Sequence, residues 1–239
     1  MNADRRFWLI AMAALLGFCI TLSLGRWQLS RAAQKEAVAS AIAAQGTLPA
    51  LTSSELVALA RPQGALHRRV QLRGRWLSEH TVFLDNRQME GRQGLYVITP
   101  LALEGSDAVL LVQRGWVPRN FLERSSLPQI ATAAGLVNIA GRMAPPPGKL
   151  YELGQASVGR IRQNLDIADF ARESGLVLWP VSVQQTDGTD DGVLRAWPRI
   201  AAGVEKHHGY AFQWFGLSAL IAVLYVWFQI VRPLQTRRR

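Results

Sequence analysis

The sequence predicts a membrane protein in which two transmembrane helices flank an α+β extramembrane domain, mainly antiparallel β and small-barrel-like. Three observations carry that expectation. Residues 7–24 and 210–231 are apolar blocks of 18 and 22 residues that contain no Asp, Glu, Lys, Arg or His. Each is long enough to cross a hydrocarbon core of roughly 30 Å at about 1.5 Å per helical residue. Between the blocks the hydrophobic period is 2 rather than 3.6 over several short runs. The charge is also uneven, because Arg5 and Arg6 precede the first block while Arg232, Arg237, Arg238 and Arg239 follow the second. Basic flanks of this kind assign both ends to the cytoplasm and the middle of the chain to the periplasm.

Taken in order, residues 1–6 form a cytoplasmic tail and residues 7–25 the first span. The exit Ser23, Leu24, Gly25, Arg26, Trp27 lacks a small-x-small cleavage site, so the block reads as a retained anchor rather than a signal peptide. No long Arg/Ser-rich leader precedes it, which favours a bacterial inner membrane over a mitochondrial precursor. Residues 26–45 are Ala-rich without Gly or Pro and extend the span into one helix of about 35 to 40 residues, with Trp27 at the interface and Arg31 and Lys35 one turn apart on one face. Residues 46–206 are the periplasmic α+β domain. Val70, Leu72, Gly74 and Trp76 alternate with Arg69, Gln71, Arg73 and Arg75, the pattern of a strand with one wet face. Further strands are expected at 81–87, 95–101, 108–117, 136–142 and 176–185. Turns are expected at Glu90 and Gly91, at 104–107 and at 145–148. A short helix is expected over 166–173, capped by Asp166 and stopped by Gly175. Residues 207–231 are the second span with its opening motif, and 232–239 a basic cytoplasmic tail.

Several function classes are excluded or disfavoured. The net charge of +10 sits half in the tails and carries no recognition motif, so nucleic acid is not a partner and membrane lipid is. Cys19, the single cysteine, lies inside the first span, which leaves no disulfide framework and no thiol metal site. Phosphate-binding loops, a G-x-S-x-G elbow, H-E-x-x-H and C-x-x-C-H are absent. His67 and His80 read as exposed or structural. Asp85, Glu90 and Asp107 have no spacing that selects an acid/base pair, and Asp85 is expected to pair with Arg87 or Arg114 on a neighbouring strand. The chain therefore reads as a non-enzyme, with no catalytic residue.

His207 and His208 stand just ahead of the second span. As neighbours on a helix they point about 100° apart, so at most one serves a single metal. An interfacial polar pair is the plain reading; an axial ligand for a lipophilic porphyrin is the sharper one. Tyr210, Ala211 and Trp214 share the face of His207 and offer an aromatic wall with a small residue where a flat ring approaches. His208 shares a face with Ala211, Phe212 and Phe215, expected to pack in lipid or against the first helix.

Gly25-Arg26-Trp27-Gln28-Leu29-Ser30-Arg31 resembles the G-x-W-Q-x-x-R signature of the Surfeit-locus (Surf/Shy) family of cytochrome c oxidase assembly proteins. The likeness continues in family order. It runs through Leu84-Asp85-Asn86-Arg87, through Gly94-Leu95-Tyr96-Val97-Ile98-Thr99-Pro100-Leu101 and through Val112-Gln113-Arg114-Gly115-Trp116-Val117-Pro118. It closes on His207-His208-Gly209-Tyr210-Ala211-Phe212-Gln213-Trp214-Phe215, which looks like H-x-x-Y-A-x-x-W-F. Gln113 departs from the Asn more usual there and keeps an amide. The resemblance implies an assembly factor for haem-copper oxidase, active in respiratory chain biogenesis at the cell inner membrane, that binds or delivers haem a while the catalytic subunit matures. By motif position the ligand is His207, with His208 as the alternative and Tyr210 and Trp214 beside it. Trp27, Gln28, Arg31, Asp85, Arg87, Arg114 and Trp116 are implied as structural or partner-facing residues. The catalytic subunit and the haem a synthase are the implied partners. The competing reading is a membrane-anchored interaction module that stabilises an oxidase subunit without haem. A periplasmic hydrolase is a third reading, and it lacks a nucleophile–base pair.

Overall fold

In the computed structural model the first apolar block is the N-terminal half of one unbroken helix, α1 (Ala3–Thr47, 45 residues), longer than expected because it begins at Ala3 and continues through Gly46 to Thr47. Described are residues 3–59, 61–120, 122–123, 127–151, 159–188, 191–198 and 203–236; Arg237, Arg238 and Arg239 of the basic tail lie outside them. The second block is α4 (Val204–Val226), continued by a π-helical turn over Trp227–Val231 and by α5 (Arg232–Thr236). Arg5–Thr47 and Val204–Gln235 are long and apolar enough to cross a membrane. The chain divides into a helical unit, residues 1–40 with 200–239, and a sheet unit, residues 41–199.

Within the helical unit the buried stripe is made of small and polar residues. Thr21, Gly25 and Ala32 on α1 and Ala211 and Ser218 on α4 are buried, and Thr21 Oγ1 and Ser218 Oγ share a 2.6 Å hydrogen bond. Gly25 is required by close approach: a Cβ there would lie 2.6 Å from the Phe215 ring. Trp8, Leu15, Leu16, Phe212 and Val223 point outward. Small residues at the contact and large apolar ones outside are the arrangement of helices packed in lipid.

Among the described residues the sheet unit holds eight strands: β1 (Leu51–Thr52), β2 (Arg69–Trp76), β3 (Val82–Met89), β4 (Arg92–Leu103), β5 (Val109–Pro118), β6 (Leu136–Ala144), β7 (Ile161–Arg162) and β8 (Leu178–Gln185). Two short helices join them, α2 (Ser53–Val57) and α3 (Ile167–Ser174). The ladder order is β1-β2-β6-β8-β5-β4-β3-β7, with a further pairing of β2 to β4. The sheet is mixed, since β1–β2, β3–β7 and β5–β8 run parallel. It is also not the closed small barrel expected from sequence: β2 meets β4 over only three residue pairs, and the order runs out to edges at β1 and β7.

The alternation in β2 is as expected, with Val70, Leu72, Gly74 and Trp76 buried and the arginines exposed. β5 is buried on both faces from Val109 to Val117, which places Gln113 and Arg114 inside. The β3–β4 turn uses Glu90 and Gly91 at φ 50° and 75°, the paired positive φ of a tight hairpin. In α3, Asp166 caps the amides of Ala168 and Asp169, and Gly175 ends the helix at φ 71°. The main apolar cluster joins Leu56 to Leu72, Leu101, Leu110, Met143 and Val183.

Candidate functional site

α4 opens at Gly203, whose φ of 92° lets the chain turn into the helix. His207, half-buried, follows in the first turn and places Nδ1 2.7 Å from Gln28 Oε1 of α1. An amide oxygen accepts, so this bond puts the imidazole proton on Nδ1 and leaves Nε2 with a lone pair. His208 is exposed, and its Nε2 is already engaged at 3.1 Å by Glu36 Oε1. Each histidine thus has one ring nitrogen bonded and one left over, and His207 is the more buried of the two.

Beside it lies a groove of about 490 Å³ lined by Trp27, Arg31, Gln34, Lys35, Val38 and His207, within the usual range of about 300–1,000 Å³ for small-molecule sites. The five α1 residues stand at spacings that share one helix face. Lys35 lines it on the face expected for it and Arg31, and Gln34 and Val38 are additions that the same spacing was sufficient to find. A single oriented imidazole suits a metal that brings its own ligand set. Among the described residues no group of three His, Cys, Asp or Glu side chains is placed to hold a bare ion.

The structure separates the expected aromatic wall from His207. Tyr210 is 52% exposed and Trp214 is half-buried, and neither lines the groove. The stripe His207, Ala211, Trp214, Ser218 is the one turned to α1: Ala211 and Ser218 are 2% and 3% exposed. Ala211 therefore fills the helix contact rather than leaving room for a ring, and the indole beside His207 is that of Trp27. On the face of His208, expected to pack in lipid or against the first helix, Phe215 lies against Gly25 of α1 and Phe212 is 80% exposed.

The remaining motif residues, Asp85, Arg87, Arg114 and Trp116, belong to the sheet unit and hold it together. Asp85 does not pair with Arg87 or Arg114. A register shift between Leu84 and Arg87, with Asn86 at φ 58°, turns Asp85 to Arg119. Arg119 lies one residue past the end of β5, where strand pairing rules do not reach. The same irregularity turns Arg87 inward, where it donates to the carbonyls of Gly148 at 2.7 Å and Gln163 at 2.9 Å. Burial lowers the Arg87 pKa and raises that of neighbouring Tyr96; a guanidinium nonetheless stays charged. Arg114 donates to Thr132 Oγ1, the Ala131 carbonyl and Asp191 Oδ2 at 2.7, 2.7 and 3.0 Å. Burial lowers its pKa, against the raising effect of Asp191. Trp116 Nε1 donates to the Arg87 carbonyl at 2.9 Å, and its ring packs so near Gly94 that a Cβ there would lie 2.5 Å away.

Comparison with known proteins covers most of the chain. The SURF1 family model matches residues 15–219. A SURF1-like protein of Rickettsia conorii is 26% identical over 215 residues, 87% of this chain and 86% of that protein. A SURF1-like protein of Drosophila melanogaster is 26% identical over 237 residues, 89% of this chain and 74% of its own. The cytochrome oxidase assembly protein SHY1 of Saccharomyces cerevisiae is 26% identical over 166 residues, 65% of this chain and 41% of its own length.

Proposed function

The chain belongs to the SURF1 family, and from that premise we propose that it is an assembly factor for a haem-copper cytochrome c oxidase that carries haem a on His207 while the catalytic subunit matures. The printed name of the yeast relative, a cytochrome oxidase assembly protein, supports the oxidase half of this reading. One observation carries the haem half: the 2.7 Å contact between His207 Nδ1 and Gln28 Oε1. Histidines that bind metal characteristically donate their other ring N–H to an oxygen, which fixes the tautomer and the ring plane. Trp27 and Val38 add apolar contact in the groove, which His207 lines and the exposed His208 does not.

Haem here is cargo, and its iron supplies the bond to the imidazole. The chain's own part is to orient His207, shelter one face of the macrocycle and let it go. The role is non-catalytic, with the haem a synthase as donor and the oxidase catalytic subunit as acceptor. Both apolar helices span a bacterial inner membrane, with the basic tails in the cytoplasm and the sheet unit in the periplasm.

Haem content tests the reading. In cells that make haem a, His207→Ala is expected to purify with little or none, because no neighbouring side chain replaces a coordinate bond. His208→Ala is expected to keep most of it. Equal haem in wild type and His207→Ala, with oxidase assembly still dependent on the protein, favours the module that stabilises a subunit without haem. Topology is checked separately: a cytoplasmic reporter fused after Arg239 should be active, and a fusion near Gly105 should require a periplasmic one.

A further inference from the structure

The groove beside His207 carries charge that an iron ligand does not explain. Arg31 and Lys35 stand one turn apart on α1 and both line it. Neither is paired with a carboxylate among the described residues: Arg31 donates Nη1 to the neutral Gln34 Oε1 at 3.0 Å. Lys35 Nζ lies by the start of α4, 4.0 Å from where a Cβ would sit at Gly203. The nearby acids are placed otherwise, Glu36 against His208 and Glu205 exposed in the first turn of α4. Like charges one turn apart weaken a helix, so this pair opposes the local structure that holds it.

The groove thus offers three chemistries together: an imidazole nitrogen, the apolar surface of Trp27 and Val38, and two adjacent cations. A ligand that answers all three has a metal centre, a flat apolar body and two carboxylates on one edge. A porphyrin with two propionates has that form. We propose that Arg31 and Lys35 are the propionate clamp of this site, a proposal that rests on the haem reading above. The planar guanidinium of Arg31 engages one carboxylate through two parallel N–H bonds, and the ammonium of Lys35 takes the other as a point charge. With the edge fixed by two cations and the centre by His207, the macrocycle has one orientation in the groove, and a partner meets a defined face. A phospholipid headgroup, the other anion a membrane protein meets, matches the cations but leaves the imidazole without a role.

The test compares two ligands on the full chain in detergent, followed by the Soret band: haemin, and haemin dimethyl ester, in which both carboxylates are masked. Wild type is expected to bind haemin about tenfold more tightly than the ester, and added salt should narrow the gap. Arg31→Gln with Lys35→Gln should weaken haemin about tenfold and leave the ester unchanged, while His207→Ala should remove the Soret response to both. Because the ester comparison uses unaltered protein, it decides the matter even if the double variant folds poorly. Equal affinity of wild type for haemin and ester, with the response still dependent on His207, overturns the clamp and leaves the haem reading standing. A response that does not depend on His207 with either ligand overturns both. If the double variant keeps its haemin affinity and instead loses binding to phosphatidylglycerol vesicles relative to phosphatidylcholine ones, the pair is a lipid anchor and the clamp is wrong.

Discussion

Leu84 in the sheet unit is fully buried, and Leu15 in the helical unit is 64% exposed. The two leucines mark units that distribute apolar surface in opposite ways. In the sheet unit, apolar side chains point inward and arginines such as Arg69, Arg73 and Arg75 point out. The helical unit is inverted: hydroxyls and small residues meet at the centre, and leucine, tryptophan and phenylalanine cover the outside. The difference also divides the motif residues by role. In the sheet unit Arg87 and Arg114 turn their terminal guanidinium nitrogens, and Trp116 its ring N–H, to carbonyls, a hydroxyl and a carboxylate inside the fold, so these groups serve the fold itself. In the helical unit His207, Trp27, Arg31 and Lys35 border an open groove with bonding capacity left over. Residues with spare capacity are the ones placed to act on something else.

The largest effect should come from breaking a buried ion pair. Arg114 and Asp191 are 3% and 7% exposed and joined at 3.0 Å. Removing one partner of such a buried pair costs about 3–5 kcal/mol. Arg195 remains with Asp191 at 2.5 Å, which argues for the lower end. Arg114→Ala is therefore expected to lower the melting temperature of the sheet unit sharply and to reduce protein abundance. A melting curve that matches wild type would mean that Arg114 does not serve to hold the sheet unit together, and the division between units would fail.

A smaller effect, confined to the helical unit, follows from Gly25. A methyl group there would sit 2.6 Å from the Phe215 ring, and overpacking of this kind costs about 1–3 kcal/mol. Gly25→Ala should weaken the association of α1 with α4 in detergent, and Phe215→Leu in the same chain should recover part of the loss. That coupling is the sharper readout, since residues in contact show non-additive energies whereas distant ones add. Strictly additive losses would show that the small-residue stripe is not a packing surface.

The same contrast decides what could be read from sequence. The cap at Asp166, the stop at Gly175, the Glu90–Gly91 turn and the alternation in β2 depend on residues within a few positions, and each formed where local chemistry required it. The two-residue strands β1 and β7 and the parallel pairing of β5 with β8 are set by partners far along the chain, so no local period announces them. Asp85 was given the wrong arginine for a related reason: a single irregularity in β3 redirects two side chains. Of the site, His207, Trp27, Gln28 and Arg31 were legible as motif positions. Tyr210 shares a face with His207 in the sequence pattern but not its surroundings. At 100° per residue Tyr210 is about 60° from His207 and on the far side from Ala211, which is enough to carry it from the helix contact to the outside.

The smallest effect concerns a bridge at the edge of the sheet unit. Arg162 of β7 binds both carboxylate oxygens of Glu173 in α3 at 2.9 Å. That hydrogen bonding holds the Glu173 pKa below its ordinary value of 4.5. A carboxylate with a depressed folded pKa binds fewer protons folded than unfolded near pH 4.5. Its contribution is therefore fully present above that value and is lost as pH falls through the folded pKa. Because the Glu173 side chain is 43% exposed, solvent screening limits the contribution to less than about 1 kcal/mol. The expected result is a melting temperature for the wild type that falls between pH 6 and pH 3.5 more steeply than that of Glu173→Gln, with the two curves converging at the acid end. Parallel curves would show that the bridge contributes nothing and that β7 is held by its pairing with β3 alone.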